Sequence, residues 1–153
     1  MKKKYYLAYG SNLNIAQMDY RCPDARIVGT AELKDYRLLF KGSNSGNYLT
    51  VEPAEGYSVP LAVWAVTEDD EWNLDRYEGC PTFYYKQELP ISVTGPSGRS
   101  VQKNAFIYIM REERPVGIPS HQYMVTCMEG YRNFGFDLQV LFRAYKESEE
   151  ESE

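Results

Sequence analysis

Apolar and polar positions change their spacing several times along the chain, and each change marks an element. Tyr5 to Tyr9 is aromatic and apolar and stops at Gly10-Ser11-Asn12, which predicts a buried strand running into a tight loop. Asn14 is placed to cap a short helix through Tyr20, with Gln17 three positions on as its capping-box partner. Pro23 stops that helix. Ile27 to Leu33 and Tyr36 to Phe40 predict a strand pair, and Tyr36, Leu38 and Phe40 alternate as in a half-buried strand. Gly42 to Asn47 is small and polar and predicts a loop, with a short strand over Tyr48 to Glu52.

Leu61 to Val66 is a continuous apolar run of strand length, as expected where both faces are covered. Thr67 caps a first turn of Glu68, Asp69, Asp70 and Glu71, where the helix dipole favours negative charge. That helix is expected to reach Tyr77 or Glu78, with Gly79 ending it. Tyr84 to Val93 and Val101 to Met110 read as strands joined by the turn Gly95-Pro96-Ser97-Gly98. Pro115 to Pro119 is a rigid loop, Ser120 caps a helix over His121 to Tyr131, and Asp137 opens a last one through Tyr145. Residues 147–153 form a charged tail expected to be disordered. The strands and helices do not alternate strictly. The expected fold is therefore α+β, one domain over residues 1–146: a mixed, barrel-like sheet of about six or seven strands with a few short flanking helices.

Composition narrows the function. A chain of 153 residues, 43% hydrophobic, buries a sizeable core as one domain. No apolar run is long enough to span a bilayer, and Met1-Lys2-Lys3-Lys4 passes straight into strand-like residues without a signal-peptide core. Cys22, Cys80 and Cys127 are scattered and odd in number, so a reduced, cytoplasmic protein is expected. A single histidine, His121, cannot build a multi-histidine metal site, and no metal is expected. Of the 22 acids, five lie in residues 147–153, which leaves 17 against 17 Lys and Arg. The domain is formally neutral, the net charge of -5 belongs to the tail, and neither nucleic acid nor a membrane is an expected partner. The oligomeric state stays open, a homodimer included.

Three places carry candidate chemistry. In Tyr9-Gly10-Ser11-Asn12-Leu13, successive N–H groups ahead of a helix can form a concave site for an anion or a carbonyl oxygen; by spacing alone it is also an ordinary strand-to-helix turn. Glu78 falls at a helix C-terminus, where the dipole raises a carboxyl pKa and suits it to general acid and base work. Taken alone, it is also one solvated helical glutamate among many. Tyr108 and Tyr123 can wall a pocket, or pack in the core with their hydroxyls satisfied locally. His121 and Cys127 lie six positions apart and so point to different sides of a helix, which weakens a cysteine nucleophile.

Together these segments resemble the γ-glutamylcyclotransferase family. Tyr6-Leu7-Ala8-Tyr9-Gly10-Ser11-Asn12-Leu13 is similar to its N-terminal loop, and Leu74-Asp75 with Glu78-Gly79, then Tyr85 seven residues beyond the glutamate, to its catalytic-acid segment. Tyr108 matches a strand tyrosine, and Pro119-Ser120-His121-Gln122-Tyr123 with Cys127-Met128 the C-terminal helix. The motifs keep the family's order over about positions 5 to 135. Cys80-Pro81-Thr82-Phe83 and the stretch Gly42 to Tyr57 depart from the mammalian-type form and bear on the leaving group.

The resemblance implies a mixed α/β fold around a small barrel, no cofactor, and a small-molecule γ-glutamyl substrate. It implies ring closure by the substrate's α-amine on its γ-carbonyl, releasing 5-oxoproline and an amino acid or amine, with Glu78 as general base and then acid. Tyr6, Leu7, Ala8, Tyr9, Gly10, Ser11, Asn12, Tyr108 and Tyr123 are the expected substrate-binding residues. The alternatives are the same reaction on γ-glutamyl-lysine or polyamine donors, a non-catalytic module that binds γ-glutamyl or carboxylate metabolites, and a cysteine hydrolase.

Overall fold

The computed structural model describes residues 3–153. Five strands close a barrel in the order β1-β3-β2-β4-β5: β1 Lys4–Ala8, β2 Arg26–Ser43, β3 Gly46–Val66, β4 Tyr84–Thr94 and β5 Ser100–Met110. Neighbours are antiparallel except β1 and β5, which meet in parallel at Tyr6 and Phe106 and close the ring. Four helices flank it: α1 Ile15–Arg21, α2 Glu68–Glu78, α3 His121–Phe134 and α4 Leu138–Glu151. Among the described residues no helix is long and apolar enough to cross a membrane.

The count of five strands corrects the expected six or seven, because two expected pairs of strands each run on as one. Ile27 to Leu33 and Tyr36 to Phe40 do not pair with each other; they are one strand, β2, laid along β3 from Arg26 opposite Ala65 to Ser43 opposite Gly46. Asp35 takes a left-handed conformation at φ 63° where the register shifts, and its carboxylate accepts the Gly56 N–H at 3.0 Å. That bulge bends the strand and leaves its direction intact. The chain reverses only at Asn44-Ser45, so the expected loop over Gly42 to Asn47 becomes a tight hairpin. Tyr48 to Glu52 and Leu61 to Val66 then merge into β3. The Leu61 to Val66 run is buried along its whole length, and the Trp64 ring packs edge-on against Phe134 at 6.3 Å.

The acidic C-terminal segment is also corrected. α4 continues to Glu151, so the tail expected to be disordered is helical over residues 147–151. Arg37 holds Glu147 at 3.2 Å, Glu151 at 2.7 Å and Glu52 at 3.1 Å. Between these acids Ser148 is fully buried, and its hydroxyl accepts the Phe40 N–H at 2.9 Å. Isolated surface ion pairs contribute only about 0.2–1 kcal/mol. A three-acid network on one arginine, with a buried hydroxyl at its centre, is enough to order a segment whose composition favours disorder.

The helix ends position the site. Thr67 and Asp70 form a reciprocal capping box at 3.1 Å in each direction, which starts α2. Gly79 ends it at φ 64°, with the Cys80 N–H on the Asp75 carbonyl at 2.9 Å and the Gly79 N–H on the Arg76 carbonyl at 3.2 Å. Glu78 is thereby fixed as the last residue of the helix. Asn14 caps α1 through the Gln17 N–H as expected, but the Gln17 side chain accepts from Arg21 at 2.7 Å and does not close the box. α3 runs three residues past the expected Tyr131 to Phe134, where Gly135 caps it.

Gly130 lets α3 lie directly on the 3-10 turn Ser11–Leu13 that follows β1. A Cβ there would stand 2.7 Å from both the Leu13 Cβ and the Asn14 nitrogen. Gly130→Ala is therefore expected to destabilise the protein, although alanine is intrinsically the better helix former by about 1 kcal/mol. Thermal melts of the two proteins check this; a raised melting temperature would show that the turn yields freely.

Candidate active site

The loop after β1 and the end of α2 meet at the mouth of the barrel. Gly10 turns the chain at φ -118° and ψ -131°, and its Cα faces the Tyr123 hydroxyl, which would lie 3.2 Å from an added Cβ. The 3-10 turn behind it has no side-chain cap. Among the described residues the N–H groups of Gly10, Ser11 and Asn12 find no protein acceptor. These are orphan donors at a turn's start.

A narrow hollow of about 30 Å³ lies against them, lined by Tyr6, Tyr9, Gly10, Ser11, Asn12, Leu49, Glu78, Tyr84, Tyr108 and Tyr123. It has room for roughly two small polar groups. It adjoins a wider outer hollow of about 220 Å³, and Ser11, Glu78, Tyr84 and Tyr123 line both. Glu78 thus stands where the two spaces meet.

The tyrosine hydroxyls are largely satisfied within the protein. Tyr6 accepts from Asn12 Nδ2 at 2.9 Å, Tyr9 donates to the Tyr108 carbonyl at 2.6 Å, and Tyr108 donates to Asp75 Oδ1 at 2.6 Å. Asp75 is held in turn by Lys86 at 3.1 Å, and Lys86 by Glu71 at 2.5 Å. Tyr84 donates to the Leu49 carbonyl at 2.7 Å, and Tyr123 accepts the Leu49 N–H at 3.1 Å. These phenols are walls with fixed orientation, and burial pushes their pKa values up, so they stay neutral.

Glu78 behaves differently. It is half-buried by exposed area, yet loss of water dominates its ionisation and raises its pKa to about 8, with the Arg21 charge pulling the other way. Neither a side-chain nor a backbone hydrogen bond stabilises the carboxylate among the described residues. The unpaired carbonyls at the end of α2 act in the same sense as desolvation. A carboxyl of this kind can take and return a proton near neutral pH.

Of the ten expected site residues, eight line the narrow hollow: Tyr6, Tyr9, Gly10, Ser11, Asn12, Glu78, Tyr108 and Tyr123. Leu7 and Ala8 do not; both are buried within β1, in the core. Tyr85 donates to Glu112 on the outer face, and its neighbour Tyr84 turns inward, as the two-residue period of a strand requires. His121 is exposed. Burial raises the thiol pKa values of Cys22 and Cys127 to about 12, which keeps them from acting as nucleophiles. Among the described residues no group of three or more His, Cys, Asp or Glu is gathered to hold a metal.

The sequence reading also missed Arg21. Its guanidinium donates to Asn12 Oδ1, lies 3.3 Å from the Ser11 hydroxyl, and stacks 3.6 Å from the Tyr77 ring centre. It ties the loop to α2 and sets the charge facing Glu78. Nothing in the local pattern of α1 singles it out, because its partners are brought to it only by the fold.

The family model described as "Gamma-glutamyl cyclotransferase, AIG2-like" matches residues 6–125. The chain belongs to this γ-glutamylcyclotransferase family. It is 30% identical over 141 residues to the γ-glutamylcyclotransferase of Bos taurus and 27% over 141 residues to that of Homo sapiens, covering 88% of this chain and 73% of each relative. A solved structure titled "Gamma-glutamyl cyclotransferase" superposes with a TM-score of 0.75 at 26% identity, covering 94% of this chain and 86% of the other. Membership, with curated relatives of the same name, makes the chain a γ-glutamylcyclotransferase-type enzyme.

Arg21 supplies a test of the electrostatics at this site. Its positive charge lowers the Glu78 pKa, so Arg21→Gln should move the acidic limb of the pH–rate profile upward from about 8. Arg21→Lys, which keeps the charge, should leave that limb closer to its original position. An unmoved limb in the Gln variant would remove Arg21 from this role.

Proposed function

We propose that this family member closes the γ-glutamyl unit of an amide donor into 5-oxoproline, releasing an amino acid or amine, with Glu78 moving the proton. The observation that carries the reading is the Glu78 carboxyl, raised to about 8 and placed between the two hollows. The reaction is intramolecular, so positioning supplies much of the rate and no protein nucleophile is needed.

The steps balance on one carboxylate. Glu78 takes a proton from the donor's α-amine as its nitrogen attacks the γ-carbonyl carbon. The oxygen that becomes negative is held by the orphan N–H groups of Gly10 to Asn12, a role their fixed dipoles suit. Glu78 then gives the same proton to the leaving nitrogen as the C–N bond breaks, and returns to its starting state. The narrow hollow suits the polar end of the γ-glutamyl unit, and the outer hollow suits the leaving amine. The buried tyrosines fix the donor's orientation.

Incubation with a γ-glutamyl dipeptide should release 5-oxoproline, followed by chromatography. Glu78→Gln should lower kcat by about 10²–10⁴-fold, the range of general acid–base catalysis. The same variant should be the more stable protein at pH 8. Glu78 has a folded pKa above its unfolded value, so the native state binds more protons between pH 4.5 and about 8 and loses stability as pH rises through that window. Glutamine removes this penalty. A folded, fully active Gln variant would contradict the assignment.

A further inference from the structure

The outer hollow carries information about the leaving group, and this inference rests on the ring-closure reading above. Its wall is made of the rings of Tyr48, Tyr77, Phe83, Tyr84 and Tyr123. Tyr48 stands edge-on to Tyr123 at 5.2 Å and to Phe83 at 6.4 Å, and Phe83 leans on Tyr84 at 5.4 Å. The Tyr84 hydroxyl donates to the Leu49 carbonyl, that of Tyr123 accepts the Leu49 N–H, and that of Tyr77 faces the Ser11 hydroxyl at 3.2 Å. The rings of Tyr48 and Phe83 offer a ligand carbon surface, beside the Ser11 and Tyr77 hydroxyls and the Glu78 carboxyl.

Two of these rings are open to solvent, Tyr48 at 36% and Tyr77 at 46% exposure. Covering exposed aromatic surface is favourable in proportion to the area removed from water. The rings are also braced. Arg114 lies 4.5 Å from the centre of Phe83 and Arg21 lies 3.6 Å from the centre of Tyr77. Each guanidinium already covers one face of its ring, and that face is closed to a ligand cation. Among the described residues no Lys or Arg lines the hollow, and Glu78 is its one carboxyl. An acidic side chain there would find no Lys or Arg in the lining to pair with.

We infer that the outer hollow selects donors whose leaving amino acid carries an uncharged apolar or aromatic side chain, with Tyr48 and Phe83 as the specificity-determining residues. A side chain of leucine or phenylalanine size fits a space of about 220 Å³ and covers the two open rings. Glycine leaves them wet. Aspartate and lysine meet the obstacles above.

Calorimetric binding to the Glu78→Gln protein tests this without turnover, using γ-glutamyl-phenylalanine, -leucine, -glycine, -aspartate and -lysine. The Phe and Leu donors should bind about tenfold or more tightly than the Gly donor, the increment expected for burying a side chain of that size, and the Asp and Lys donors no more tightly than Gly. Adding Phe83→Ala should bring the Phe-to-Gly ratio within about threefold; Tyr48→Ala serves equally if that variant does not fold. Equal affinity for Phe and Gly, tightest binding of Asp or Lys, no binding of any donor, or an unchanged ratio in both ring variants would overturn the inference. Wild-type turnover of the same donors separates the two claims. The binding preference without any 5-oxoproline would sustain the selectivity and defeat the reaction, whereas 5-oxoproline without the preference would do the reverse.

Discussion

The site depends on one carboxyl group kept from water and given no protein donor in return. Ordinarily a fold either exposes a glutamate or pairs it, because an unpaired buried charge is costly. Here α2 ends at Glu78, and the barrel mouth, the glycine loop and five tyrosines close around it. The cost appears as a pKa raised to about 8, and that shift makes the group useful. The tyrosines do not offset that cost: Tyr84 and Tyr108 donate to the Leu49 carbonyl and to Asp75, Tyr6 and Tyr123 accept from Asn12 and from the Leu49 N–H, and none is hydrogen-bonded to the Glu78 carboxylate.

The rest of the structure serves to bring two distant segments to that point. β1 sits between β3 and β5 in the closed barrel, which fixes where the loop at Gly10 begins. Gly130 lets α3 press on the turn after it, and Arg21 spans from the loop to Tyr77 on α2. The chain of contacts from Glu71 through Lys86 and Asp75 to Tyr108 secures the opposite wall. A loop carrying orphan donors and a helix end carrying an unpaired acid are each locally unfavourable. Both persist because long strands and buried apolar rows over-determine their positions.

Local chemistry was legible in the sequence wherever one segment decides its own conformation. The capping box at Thr67, the stop at Gly79, the turn before Val101 and the cap at Asp137 all appear where residue type and spacing place them. So does the loop at Gly10, and its association with Glu78 came from the order of several motifs. What could not be read depended on partners far along the chain. Asp35 bends β2 because Gly56 waits across the sheet, and the acidic end of α4 is ordered because Arg37 gathers it. Arg21 gives no signal on α1 because its targets lie in the loop and on α2. Tyr84 carries no motif of its own, and only the pairing of β4 with β5 turns it inward and Tyr85 outward.

The ionisation of Glu78 is the most direct measure of this account. Difference infrared spectroscopy between the wild-type protein and Glu78→Gln, recorded across a pH series, isolates that carboxyl. The account predicts a protonated carboxylic acid band at pH 6 that gives way to carboxylate with a midpoint near 8. A midpoint near 4.5, the value of an ordinary glutamate, would mean that the site does not hold the acid away from water, and the proposed proton transfer would lose its physical basis.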